Sequence, residues 1–469
     1  MAGMGDTFND VISRLWDATG SQHDPAETPL DAVTTAGPRA VLPSVFDVTG
    51  LATGAVAIAT LAAARLAAAR HQSPPPAVTV DSREASAGFA GEGLFQPIGW
   101  EQPPLWDPIA GNYRAADGWI RLHTNYAYHR AAVERVLAAH DRDTVQAAVA
   151  DQPAEQIEQA IVEAGGAAAA MHTRSEWLAS PAGAATAQAP PLTVTESGHT
   201  EPAAWTTTRG ERPLTGVRVL DLTRVIAGPV CTKFLAAYGA DVLRIDPPGF
   251  EEVASLLPET TLGKRTTALD LTTPAGRATF ETLLADADVL VVGLRADALA
   301  DLGYDDHTLA ALNPGLVIAS LDAYGWDGPW RNRRGFDSLV QMSCGIAAAG
   351  AAAKDQDEPA PLPVQALDHA TGWFLAAAVT RALTRRLTAS VTSRIHASLI
   401  GTANLLYTLD APAERPPRPK PGDFTLEDTT TVWGPAKRVP LPGHIDGIPP
   451  HWAQQAGPLD RHPATWNAR

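Results

Sequence analysis

The sequence predicts an α/β protein: a doubly wound, parallel-sheet (Rossmann-like) large domain joined to a smaller α+β domain. Three observations carry this. Between residues 214 and 410, short apolar runs alternate with segments of helical period. Residues 108–175 instead combine a hairpin pattern with two amphipathic helices. The length of 469 residues suits two or three domains, at about 100–200 residues each.

Val217 to Leu222 is a compact apolar strand followed by a Gly228-Pro229 turn. Val230 to Tyr238 is helical in period and ends at Gly239, a residue suited to a left-handed cap. Val242 to Ile245 and Thr267 to Leu271 read as further strands. Thr273-Pro274 then opens a helix to Ala285, with proline at its first position. Val289 to Val292, the helix Asp306 to Leu312 and Leu316 to Leu321 continue the alternation. In the smaller unit, Tyr113 to Leu122 reads as two strands around Asp117-Gly118. The helices Ala131 to Ala139 and Ala154 to Ala164 follow, the second with Ile157, Ala160 and Ile161 on one face.

Punctuation divides the chain. Residues 1–107 hold an Ala-rich helix closed by Ser73-Pro74-Pro75-Pro76, and 108–185 the small domain. Residues 186–213, thick with Pro, Thr and Glu, read as a linker. Residues 214–410 form the large domain, and 411–469 a Pro-rich C-terminal return segment, in which Arg415 to Pro421 marks the start of a loosely structured tail.

Composition excludes several classes of function. The net charge is -16, with 52 acidic against 36 basic residues, and no run of five basic residues occurs, so no nucleic-acid partner is expected. Cys231 and Cys344 are too few and too far apart for a disulfide framework or a zinc motif, and suit a reducing compartment. Met1 to Arg14 carries acidic residues and no apolar core of a secretory signal. Leu51 to Ala69 is nearly uncharged, but it contains Arg65, is Ala-rather than Leu-rich, and runs into Arg70-His71. It reads as a buried helix, with no membrane partner, in a cytoplasmic protein.

Asp368 is the sharpest single residue. It closes an apolar, strand-like run, Leu362 to Leu367, directly ahead of the helix that contains Trp373 to Leu383. A carboxylate there is either a plain N-cap or a nucleophile placed where helix N–H groups stabilise developing negative charge. Val225 to Pro229 links a strand to a helix, and its backbone N–H groups suit a phosphate or acyl oxygen, without GxGxxG spacing. Lys264-Arg265 offers paired positive charge, for phosphates or simply for solvent. His307, His369 and His396 lack metal-ligand spacing, and no GxSxG elbow occurs, so no metal site or serine hydrolase is expected. An internal repeat is also visible. Gly50-Leu51-Ala52-Thr53-Gly54 before one Ala-rich helix matches Asp368-His369-Ala370-Thr371-Gly372 before another, with Val80-Asp81-Ser82 and His396-Ala397-Ser398 farther on. In this alignment Gly50 stands where the second copy has its carboxylate.

Pro213 to Pro229 (PLTGVRVLDLTRVIAGP) and Leu235 to Val242 closely resemble the opening of family III CoA-transferases. The similarity continues through Lys264 to Leu271, Leu312 to Val317, Tyr324 to Pro329 and Gly335-Phe336-Asp337. The resemblance implies that Asp368, in a D-x-x-x-G pattern with Gly372, attacks an acyl-CoA thioester to give an aspartyl mixed anhydride. An aspartyl-CoA thioester then passes CoA to an acceptor carboxylate. It further implies a CoA-binding set of Val225, Ile226, Ala227, Arg244, Lys264 and Arg265, no metal and no bound cofactor, with the CoA thioester as substrate. The family forms interlocked homodimers with the site between the large domain of one chain and the small domain of another. Here the small-domain material precedes the large half, as in a permuted chain or a truncated tandem with Gly50 as the dead counterpart of Asp368.

Departures from the family pattern fall mainly on the CoA contacts. Gly293-Leu294 replaces an Asn-Phe pair, Ile226 a glutamine and Pro247 a basic residue. Gly88, Gly91 and Gly93 are the available match to a glycine-rich loop over the aspartate. Phe336 replaces the histidine of the racemase branch, which removes one base of a two-base proton exchange. The expected activity is therefore acyl-CoA:carboxylate CoA transfer. An acyl-CoA racemase or isomerase and a non-catalytic acyl-CoA-binding relative are the alternatives.

Overall fold

The computed structural model describes residues 6–20, 30–200, 205 and 212–468. In chain order its N-terminal part contains α1 (Asp6–Ala18), β1 (Val33–Ala36), α2 (Val48–His71), β2 (Val78–Asp81) and α3 (Ser82–Gly88). The small unit follows, with β3 (Gly111–Arg114), β4 (Trp119–Leu122), α4 (Ala127–Leu137), α5 (Arg142–Ala150), α6 (Ala154–Glu163) and β5 (Ala168–Ala170). Then come β6 (Leu192–His199), β7 (Arg218–Leu222), α7 (Ala227–Ala237), β8 (Asp241–Asp246) and β9 (Arg265–Ala268). The large half continues through α8 (Pro274–Ala285), β10 (Val289–Val292), α9 (Asp306–Leu312), β11 (Val317–Asp322) and α10 (Asp337–Ser343). It ends with α11 (Ala366–Ala389), β12 (Val391–Ser398) and α12 (Leu399–Leu406).

Seven strands form the main sheet in the order β9-β8-β7-β10-β11-β12-β6. The first six are parallel and β6 is antiparallel to β12 at the edge. Winding out from β7 to β9 and then back through β10 to β12 is the doubly wound order, with its switch point between β7 and β10. Strands β7 and β10 are buried along their whole length, as expected for a parallel sheet covered on both faces. The small unit is a three-stranded sheet, β3-β4-β5, whose apolar core of Ile109, Tyr113, Ile120, Val133, Ile157 and Ile161 is separate from that of the main sheet.

Three expectations are corrected here. Leu192–His199, inside the expected linker, is an edge strand of the main sheet, while residues 201–204 and 206–211 of that linker lie outside the described residues. Residues 362–367 form no strand: the chain turns at Gln365 and α11 has begun by Ala366. The C-terminal segment contains a hairpin, Glu427–Thr431 with Gly434–Arg438, that pairs with Gln96–Pro97. Further on, His444–Ile445 joins β2. Its strands therefore complete sheets begun near residues 33–97.

Helices α2 and α11 pack side by side at the centre of the largest core, with alanines on both contact faces. Small side chains let the backbones approach, so α2 is buried nearly all round. Among the described residues it is the one helix long and apolar enough to cross a membrane, and 94% of its apolar window is buried inside the protein.

Candidate active site

The site is assembled where β7 ends. Asp221, fully buried, accepts hydrogen bonds from the Thr223 backbone N–H and hydroxyl, the Thr232 hydroxyl, and Lys264 Nζ at 2.9 Å. This network ties the strand to the turn and to α7. Val225 then adopts φ +63°, a left-handed conformation that a β-branched residue avoids. Such strain costs on the order of 1–3 kcal/mol and persists only when the surroundings hold it. Here they do. The Val225 N–H donates to Glu252 Oε2 at 3.2 Å, and Glu252 is held by Arg244 Nη2 at 2.9 Å and by the Tyr126 hydroxyl at 2.6 Å.

Asp368 lies in the first turn of α11, three residues past the N-cap; the N-cap is Gln365, which makes no side-chain capping bond. The cap is supplied from a distance. Asp337 Oδ2 accepts the backbone N–H groups of Leu367 at 2.8 Å and Asp368 at 3.0 Å. The Asp368 side chain is thereby free of the capping role, and it is buried. Burial, then the neighbouring charges of Asp337 and Glu92, push its pKa well above the usual carboxylate range. Asp337 is itself raised to about 6 by burial, against the hydrogen bonds it accepts.

Two cavities meet at this carboxylate, and Asp368, Val225 and Phe336 line both. One, of about 360 Å³, is bounded by Phe89, Leu94, Leu105, Trp106, Leu256 and Phe424, with Glu92 beside the carboxylate. The other, of about 420 Å³, opens at the carboxyl ends of β7 and β10 and is lined by Arg224, Arg295, Arg333 and Arg334. That is the switch point at which doubly wound sheets bind ligands. Arg333 is committed to Glu158; Arg224 stacks over Phe250 with its Nε 3.6 Å from Asp246 Oδ1, and Arg334 feels the like charge of Arg295. Asp322 also lines this cavity. Burial pushes its carboxyl up to about 7, and its Oδ2 is buried without a hydrogen-bond partner.

The structure brings together four of the seven residues named from the sequence. Asp368 and Val225 face both cavities, Ile226 the apolar one and Ala227 the cationic one. Their backbone role is narrower than expected, because the Val225 N–H is already bonded to Glu252. The other three stand elsewhere. Lys264 is fully buried against Asp221. Arg265 pairs with Asp241 and donates to the Thr465 carbonyl. Arg244 is buried between Asp246 and Glu252 and acts on the turn from behind. None of the three lines either cavity.

Arg224, Arg295, Arg334, Glu92 and Asp337 were not singled out by sequence reasoning. The Gly88–Gly93 segment had been the available match to a loop over the aspartate, and Phe89, Ala90, Glu92 and Gly93 do border the apolar cavity. His369 turns away from Asp368: it stacks on Phe89 and its Nε2 lies 3.0 Å from Glu92 Oε2. Among the described residues no group of three His, Cys, Asp or Glu side chains is placed to hold a metal. Walls from the small unit (His123, Tyr126, His129) and from the main sheet belong to the same chain.

Residues 214–431 match the family described as CoA-transferase family III. The chain is 31% identical over 234 residues to the "Probable fatty acyl-CoA transferase Rv3272" of Mycobacterium tuberculosis, covering 46% of this chain and 59% of that protein. It is 33% identical over 189 residues to a "Succinate--glutarate CoA-transferase" of Agrobacterium fabrum, covering 36% and 47%. A crystal structure of Rv3272 aligns with a TM-score of 0.39 at 32% identity, over 42% of this chain and 56% of that one. A CAIB/BAIF family protein from Brucella suis aligns with a TM-score of 0.38 at 26% identity, over 48% and 65%. The chain spans about half the length of the curated relatives it matches.

Proposed function

We propose that this protein, whose residues 214–431 match CoA-transferase family III, transfers CoA between an acyl-CoA and a carboxylate acceptor, with Asp368 as nucleophile. The observation that carries this reading is the position of one buried, uncapped carboxylate where an arginine-lined cavity meets an apolar one. The arginines Arg224, Arg295 and Arg334 suit the phosphates of CoA, and the apolar cavity suits the acyl group. The Val225–Ala227 turn then brackets the thioester beside Asp368.

In the first step an Asp368 carboxylate oxygen attacks the thioester carbonyl carbon. The C–S bond breaks, CoA leaves as a thiolate, and an acyl-aspartyl anhydride forms. The thiolate then attacks the aspartyl carbonyl and releases the donor carboxylate, leaving an aspartyl-CoA thioester. The acceptor carboxylate attacks this thioester, displacing CoA thiolate and forming a new anhydride. Thiolate attack on the acceptor carbonyl gives the new acyl-CoA and restores Asp368. Because Asp368 is buried among carboxylates, its proton must leave before the first attack, which makes the reaction faster at higher pH through that ionisation. The reading needs no bound cofactor or metal and places the reaction in the cytoplasm. It also needs no second copy to complete the site, so a homodimer would carry two identical sites.

Intact-protein mass measurement after incubation with a panel of acyl-CoAs and hydroxylamine tests it. An adduct on the native chain, trapped as a hydroxamate at position 368 and absent from Asp368→Ala, is the expected result. CoA binding without any adduct would overturn transfer in favour of isomerisation or binding alone.

A further inference from the structure

Resting on the reading that Asp368 receives the acyl group, we propose that this group is an uncharged apolar chain or ring, and that dicarboxylic acyl groups of equal length are rejected. The cavity that would hold it is about 360 Å³. At about 30 Å³ per non-hydrogen atom it has room for roughly ten such atoms, the size of a medium-chain or arylacetyl group. Its walls are aliphatic and aromatic: Leu94, Leu105, Leu256, Phe89, Trp106 and Phe424.

What the walls lack decides the class. A second carboxylate on the acyl tail would need a buried cation, as fixed charges in such sites usually have. The charged groups beside Asp368 are instead Asp337 and Glu92, and both oppose another negative charge. His369 shares the Glu92 carboxylate but does not line the cavity. His123 does line it, yet burial holds its imidazole neutral, and its ring lies flat on Phe336 with centroids 3.6 Å apart. Arg418 is the one Lys or Arg among the described lining residues. It is exposed at the mouth, with Nη2 3.3 Å from the Pro363 carbonyl. The polar side chains offered inside by Asn125, Ser338 and Gln365 are neutral, and Ser338 Oγ, buried with no partner, is suited to a carbonyl or hydroxyl oxygen of the acyl group.

The test is equilibrium binding to the Asp368→Asn protein of butyryl-, octanoyl- and suberyl-CoA, which share the same CoA. Octanoyl-CoA is expected to bind about 30- to 100-fold more tightly than suberyl-CoA, and each added methylene from butyryl to octanoyl to add about four-fold. Glu92→Gln is expected to narrow the octanoyl–suberyl gap by about ten-fold, because one opposing charge is gone. Octanoyl and suberyl affinities within about three-fold of each other would overturn the proposal. So would tight suberyl binding that disappears in Arg418→Ala, which would assign the mouth to a tail carboxylate. Absence of binding by all three would overturn it too. The native protein with hydroxylamine separates this from the transfer reading. A preference for octanoyl-CoA without an adduct leaves the acyl class standing and removes transfer. Equal adduct formation from both donors removes the acyl class and leaves transfer standing.

Discussion

Helices α2 and α11 begin alike and serve differently. Both run for 24 residues, both follow an N-cap with φ near -76° and ψ near 65°, and both end on a left-handed residue, Gln72 or Ser390. Each leads into a parallel strand and then a capped helix, with Asp81 and Ser398 as the caps. That pairing is one residue off the repeat read from the sequence, which set Ser82 against Ser398. A glycine four residues after position 50 or 368 admits a partner helix in both copies. A Cβ on Gly54 would lie 2.6 Å from Leu15 of α1, and one on Gly372 would lie 2.4 Å from the Ala227 carbonyl of α7.

The two starts differ in where the cap comes from. At α2 it is local. Asp47 accepts the Gly50 N–H at 2.8 Å, and its carboxylate is clamped by Arg39. A Cβ at Gly50 would fall 2.0 Å from Asp47 Oδ2, so the cap fills the space a side chain at position 50 would need. At α11 the N-cap Gln365 contributes nothing, and Asp337 reaches in from α10. Taking the cap from another element frees position 368 to carry a carboxylate that faces a cavity. The comparison teaches that a helix N-terminus becomes a reactive site when its capping is delegated.

The largest expected effect is on turnover. Asp368→Ala should lower kcat for CoA transfer by about 10⁴-fold or more, because loss of the nucleophile removes the covalent route. Asp47→Ala, at the matching end of α2, should leave kcat per folded molecule within about two-fold. A comparable loss at both positions would break the comparison. Next in size is Gly50→Asp, which forces a side chain into the cap and buries a second carboxylate there. It should destabilise the protein by about 3–5 kcal/mol in denaturant unfolding. Formation of a second hydroxylamine-trappable adduct in Gly50→Asp/Asp47→Ala would show that the first copy lacks nothing but its aspartate. Asp47→Ala alone should cost about 1–3 kcal/mol, through the lost cap and the stranded Arg39.

Much of this frame was legible in the sequence, and what was not has physical reasons. Strands buried on both faces, such as Val289–Val292, are unbroken apolar runs and stand out. The edge strand Leu192–His199 has solvent on one side, alternates Thr and Glu with apolar residues, and resembles a linker in composition. The apolar run before Asp368 read as a strand because Ala366 and Leu367 already belong to the first turn of a buried helix, where period is invisible. Lys264 illustrates another limit. A solvated lysine, a phosphate ligand and a lysine buried on Asp221 have the same sequence appearance. The arginines of the switch-point cavity come from three loops, residues 224, 295 and 334, which only the folded sheet order brings together.

The last and smallest effect is the most exacting in sign. Asp368 has its folded pKa raised above the unfolded value, by burial first and then by Asp337 and Glu92. A carboxyl raised in this way binds its proton more tightly when folded. Its contribution to stability is therefore fully present below the unfolded value of about 3.9 and is lost as pH rises through the folded one. Asp337, raised to about 6, acts in the same sense, so the pair titrates with shared values. Unfolding measured from pH 4 to pH 8 should show Asp368→Asn gaining on the native protein as pH rises, while its activity stays lost. The native activity should climb over the same interval as the pair ionises. Asp337→Asn should move that climb to lower pH, by removing the larger of the two opposing charge effects while leaving an oxygen to cap Leu367 and Asp368. At Asp47 the same kind of replacement should lower stability at neutral pH, since there the Arg39 guanidinium loses its carboxylate partner. Opposite signs at two helix starts of one geometry are what delegated capping requires; equal signs would return Asp368 to the status of an ordinary buried cap.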